Sequence, residues 1–211
     1  MRERPILFNT EMVKAILEGR KTQTRRVVKN ACDLIQDSDI NDKTYYAFED
    51  QYGDWHNTIT QCPYGKVGDL LWVRETFWHD GLITTMPHYH ADGVPDMSKR
   101  HDAGLLKKKP SIFMPKKYAR MWLKIKDIRV ERVQDISEED AEKEGIDIES
   151  DFGSLCQNIL DNCGEHSHDV ERSSVEIATF KNLWDSINEK RGFSWDSNPY
   201  VWVVEFERSD S

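Results

Sequence analysis

The sequence predicts an α+β fold around a small, mainly antiparallel β-barrel, with helices packed against it. Three observations predict it. The predicted strands are few, short and rich in aromatic residues. The predicted helices are too sparse to alternate regularly with strands, as a parallel α/β sheet requires. Three polar stretches, at about 30–64, 79–110 and 145–174, interrupt the order as insertions. A chain of 211 residues is read as one domain, 1–211, that carries these insertions.

The first element is a short strand, Pro5 to Phe8. Asn9 or Thr10 caps the helix that follows, its side-chain oxygen accepting from a free amide. Met12, Val13, Ile16 and Leu17 share one face of that helix, and Gly19 ends it. The Thr and Val residues of 20–28 favour an extended strand. Residues 30–64 are polar and irregular, with room for a hairpin. Cys62-Pro63-Tyr64-Gly65-Lys66-Val67-Gly68-Asp69 supplies turn chemistry before a strand, Leu70 to Trp78.

Met121 to Val133 reads as a strand with one apolar face and one positive face, changing register near Asp127. Ser137 starts a short helix that runs to Glu144. Ser137 and Asp140 resemble a capping box, and Gly145 closes the helix. Ser174 caps a longer helix whose apolar face carries Ile177, Phe180, Leu183, Trp184 and Ile187. Tyr200 to Glu207 is the last strand.

The chain holds 29 Lys and Arg against 38 Asp and Glu, for a net charge of −9. That sum points away from nucleic acid, but its distribution does not. Residues 1–30 hold eight basic and three acidic residues, and 99–132 hold twelve and three. These segments carry +5 and +9, which leaves −23 elsewhere. They are read either as solvated surface or as two parts of one positive face.

No stretch approaches the roughly 18 apolar residues of a spanning helix, so no membrane partner is expected. Met1 to Phe8 has no long apolar core, so no secretory signal is expected. Four cysteines in this length make no disulfide scaffold, and a cytoplasmic location is expected.

Gly19-Arg20-Lys21-Thr22-Gln23-Thr24-Arg25-Arg26 places Lys21, Thr24 and Arg26 within one loop and strand start. Taken alone, Lys21 reads as a surface ion pair and Thr24 as strand propensity. Together the residues resemble the motif G-x-K-x-x-T-x-R of the ASCH domain, a PUA-like β-barrel. Gly19, Lys21, Thr24 and Arg26 occupy its four fixed positions. The likeness continues through Gly68-Asp69-Leu70-Leu71-Trp72-Val73, the helix start Asp135 to Ala141 and the terminal Val203-Val204-Glu205-Phe206. Cys62-Pro63-Tyr64-Gly65, Trp72-Val73-Arg74-Glu75-Thr76 and Pro110-Ser111-Ile112-Phe113-Met114-Pro115 are similar to stretches in long ASCH-type proteins of phages and prophages.

The resemblance implies binding of RNA or a modified nucleoside in a positively charged cleft. The cleft would be formed by the first turn, the Trp72 strand and the end of the Ser137 helix. It also implies two hydrolytic alternatives: an N4-acetylcytidine-type amidohydrolase and a single-strand ribonuclease. For the amidohydrolase it implies a catalytic set of Lys21, Thr24 and Glu144. Thr24 would be the nucleophile, Lys21 its base if burial and Arg neighbours lower its pKa, and Glu144 the group that positions or protonates the substrate.

Arg20, Arg25 and Arg26 suit a nucleotide phosphate, because guanidinium forks bind phosphate bidentately. Trp72 and Arg74 share a strand face and suit a stacked base with its phosphate, with Glu75 on the opposite face. The plain alternative is a Trp in the barrel core and an Arg–Glu surface pair. Lys117 and Arg120, beside Lys116 and Tyr118, suit single-stranded RNA.

Cys156, Cys163, His166 and His168 are zinc-competent types, but their spacing matches no standard finger. The histidines at 79, 88, 90 and 101 are looser still. No metal and no cofactor is assigned.

Overall fold

The structure, a computed structural model, describes residues 1–29, 35–38, 44–49, 55–57, 61–79, 86–93, 106–147 and 175–209. Its first strands are β1 (Glu3–Leu7), β2 (Gln23–Val27), β3 (Ile35–Ser38), β4 (Thr44–Glu49) and β5 (Trp55–Asn57). They are followed by β6 (Leu70–Arg74), β7 (Phe77–His79), β8 (His88–Tyr89), β9 (Lys107–Lys109), β10 (Trp122–Arg132) and β11 (Tyr200–Ser209). The helices are α1 (Thr10–Leu17), α2 (Glu138–Lys143) and α3 (Val175–Asn188). The fold is α+β, with few helices and mixed sheets.

Two compact units divide the chain. The first joins Met1–Gly19, Pro63–Lys126 and Phe206–Ser211, and the second joins Arg20–Cys62 and Asp127–Glu205. Strands β10 and β11 contribute a segment to each.

In the first unit β1 pairs in parallel with β6, and β6 pairs antiparallel with β10, placing Trp122 opposite Trp72. One face of this sheet is dry: Leu71, Val73, Leu123 and Ile125 are buried. Helix α1 begins where Asn9 Oδ1 accepts from Met12 N at 2.8 Å, as its N-cap position predicts. It ends at Gly19, whose φ of +79° suits a residue without a Cβ. A smaller sheet, ordered β8-β7-β9, packs Phe77 against Met114 and Tyr118.

The strand predicted over 70–78 is two strands. The break falls at Glu75 and Thr76. There the Glu75 amide donates to Met114 Sδ at 3.2 Å, and Thr76 O accepts from His90 N at 2.9 Å. These bonds to other segments replace the ladder.

In the second unit β2 pairs antiparallel with β11, setting Thr24 opposite Val204 and Arg26 opposite Trp202. Within the stretch predicted as an irregular insertion, β3, β4 and β5 form an antiparallel sheet of their own. Ser137 caps α2 by accepting from Asp140 N at 3.2 Å. The Asp140 carboxylate is not turned back as a capping box would have it. It faces Arg25 and Arg129 instead. Phe180 and Trp184 of α3 enter a core with Val133, Ile136, Trp195, Val201 and Val203. Ile187, predicted on the apolar face, is 37 % exposed. The predicted cap of α3, Ser174, lies outside the described residues.

The register change predicted near Asp127 is present. Lys126 and Asp127 are both exposed, and burial alternates again from Ile128. No helix among the described residues is long and apolar enough to cross a membrane.

Candidate functional site

In the second unit the entry to β2 is tied to the end of α2. Thr22 N donates to Lys143 O at 3.0 Å. The Lys21 side chain then returns to Glu144, where Nζ donates to the carbonyl at 2.7 Å and to Oε2 at 2.9 Å. Glu144 is the C-cap residue of α2, so the ammonium satisfies a carbonyl that the helix leaves unpaired. Gly145, at φ +79°, lets the chain leave directly.

This pair is dry. Lys21 is 2 % exposed and Glu144 4 %. Burial pulls the Lys21 pKa below the usual lysine range. Glu144 opposes that shift, while Arg26 and Arg25 add to it.

Arg25 extends the site. Its Nη1 lies 3.4 Å from Glu144 Oε1, and its Nη2 donates to Asp140 Oδ2 at 2.9 Å and to Glu131 Oε2 at 3.1 Å. Arg129 Nη2 meets the same Asp140 oxygen at 2.7 Å, and its other donors reach Glu131 and Glu205. Gln23, fully buried, sits between Arg25 and Glu205. Burial raises the Asp140 pKa, but Arg25 and Arg129 outweigh it and hold the carboxyl below the usual range. Arg25 and Arg129 come from the two basic segments of the sequence. They do meet, but on carboxylates, so the meeting point is an ion-pair network.

Glu131, Asp140, Glu205 and Arg129 were not among the predicted site residues. Arg129 and Glu131 share the charged face of β10, which was the one available signal. The local sequence places Asp140 in a cap.

Thr24 is 2 % exposed, three residues after Lys21 on β2. Arg20 Nη1 donates to Gly145 O at 3.0 Å, which places it beside the end of α2. Arg26 is half-buried. Lys21, Glu144, Arg20 and Arg25 are therefore brought together.

The remaining predicted residues belong to the first unit. Glu75 is 1 % exposed and does not pair with Arg74. Arg120 grips it instead, Nε to Oε1 and Nη2 to Oε2, each at 2.9 Å. Arg120 Nη1 also donates to both Asp92 oxygens, at 2.9 and 2.7 Å. Its guanidinium carbon lies 3.9 Å from the centre of the Tyr89 ring. Burial pushes the Glu75 carboxyl above its usual range, against the pull of Arg120. Trp72 is half-buried on the face opposite Leu71 and Val73, so it is not a core residue of its sheet. Arg74 lies over its ring, 5.5 Å from the centre. Lys117 is exposed, its Nζ 4.8 Å from the centre of the Tyr118 ring.

Among the described residues no three His, Cys, Asp or Glu side chains are grouped to hold a metal ion. Cys156, Cys163, His166, His168 and His101 lie outside them. Comparison with protein-family models, with curated proteins and with solved structures returned no match.

Proposed function

We propose that the chain is an ASCH/PUA-like protein that binds RNA or a modified nucleoside and hydrolyses an acyl amide on its base. In this reading the sheets belong to a small PUA-like barrel. The buried Lys21–Glu144 pair carries the proposal. Such a pair gives little stability over an apolar one of similar volume. A lysine whose pKa is lowered by burial is suited to proton transfer.

The chemistry assigns each residue a role. Thr24 Oγ1 attacks the acyl carbon while its proton passes to Lys21 in its deprotonated form. The C–N bond breaks, and the exocyclic amine leaves with a proton from Lys21. Water then cleaves the acyl-Thr24 ester to release the carboxylate. Glu144 holds Lys21 in place and stabilises its charged form between the two transfers.

The test is incubation of the full chain with N4-acetylcytidine and with single-stranded RNA, followed by chromatography. Release of cytidine by the parent chain and its loss in Thr24→Val, with partial recovery in Thr24→Ser, supports the proposal. Cleavage of RNA that depends on the same residues favours the ribonuclease alternative. A second reading is binding without turnover, with Lys21 and Glu144 acting only as a clip. It is favoured by the position of Thr24 within a paired strand. Ligand binding with neither product formed selects that reading.

A further inference from the structure

We infer that the outer face of the first unit's sheet is a stacking platform for single-stranded nucleic acid. The inference deepens the nucleic-acid half of the proposed function and needs none of its chemistry.

One face of this sheet is fully buried and the other is not. Trp72 and Trp122 are register partners on neighbouring strands, so they stand side by side on the half-open face. Each carries a cation over its ring. The Arg74 guanidinium carbon is 5.5 Å from the Trp72 centre, and Lys116 Nζ, which also pairs with Glu3, is 5.4 Å from the Trp122 centre. Arg74 also donates to the carbonyl of Ile112. That bond brings the short Ser111–Phe113 helical turn against the same residues. Ile112 is 60 % exposed and Phe113 67 %, which is unusual for adjacent large apolar side chains.

The charges choose the occupant. Lys107, Lys109 and Lys117 flank the turn in sequence and make no ion pair among the described residues. Arg74 Nε is shielded from water and has no hydrogen-bond partner among the described residues. Aromatic rings beside Arg74, Lys107, Lys109 and Lys117, which make no ion pair among the described residues, match a strand of bases and phosphates. A duplex hides its base faces and cannot use the rings.

The experiment is fluorescence anisotropy with a labelled 12-nucleotide single-stranded RNA that has no modified base, and with its duplex. The proposal expects single-strand binding, with roughly tenfold or greater loss in Phe113→Ala and in Trp122→Leu. Lys117→Gln should lower the salt slope by about 0.7. Phe113 is exposed, so its variant tests the surface even if Trp122→Leu fails to fold. The RNA carries no acylated base, so the outcome is read separately from the chemistry of the Lys21 site. Equal affinity for strand and duplex, or no effect of Phe113→Ala, overturns the proposal. So does displacement of the RNA by a poly-glutamate peptide at equal charge concentration, which would make the face a protein-docking surface.

Discussion

Lys21 Nζ lies 2.9 Å from Glu144 Oε2, although 123 residues separate the two in the chain. Both are removed from water, and the contact joins the entry to β2 to the end of α2. Removing one partner and removing both should therefore differ. Glu144→Gln leaves an ammonium buried without its counter-charge and should cost about 3–5 kcal/mol. The double replacement Lys21→Met with Glu144→Leu should cost clearly less than the two single losses summed. Urea denaturation of the four chains measures the coupling.

Lys21 also predicts a pH dependence. Its folded pKa is below the ordinary 10.5. Between those two values the unfolded chain holds the proton more often than the folded one. Stability should therefore rise with pH through that window, and Lys21→Met should remove the rise. Thermal melts from pH 7 to 10 provide the check. A turnover rate that depends on neutral Lys21 should also rise with pH, centred on the folded pKa at the lower edge of that window.

Asp140 has the opposite dependence. Arg25 and Arg129 hold its carboxyl below the ordinary 3.8. Its contribution should be complete above that value and fade as pH falls through the folded one. Asp140→Asn should flatten this part of the acid-unfolding curve, read by circular dichroism.

Glu75 and Asp92 both bind Arg120, yet they should differ in cost. The Glu75 side chain is 1 % exposed and that of Asp92 is 48 %. Glu75→Ala removes the buried carboxylate that holds Arg120 through two bonds and should cost roughly 1–3 kcal/mol. Asp92→Ala loses a rim contact and should cost less than about 1 kcal/mol. Denaturant midpoints at constant slope distinguish the two.

Asn9→Ala should cost about 1 kcal/mol, because Met12 N then loses its acceptor. Asn9→Ser should restore most of it. Hydrogen exchange across α1 locates the change.

Local rules made much of this legible. Asn9, Gly19, Ser137 and Gly145 were read as helix ends because caps depend on neighbours a few residues away. The alternation along β10, with its slip near Asp127, was legible for the same reason. The strand across Glu75 was misread. Propensity continues through that residue, and only Met114, 39 positions on, draws its amide away.

The sequence by itself determined the helix ends at Asn9, Gly19, Ser137 and Gly145 and the apolar face of β10, and the resemblance it carries drew Lys21, Thr24 and Glu144 together. It could not determine the partners of the charges. Arg25, a candidate phosphate ligand, is enclosed by three carboxylates, and Glu75, which the plain alternative pairs with Arg74, is held by Arg120. An ion pair needs only proximity in space and carries no periodic trace along the chain. Burial then decides its consequence. The same lysine that would be an ordinary surface charge in water becomes, with Glu144 in a dry interior, a group whose proton is more easily lost.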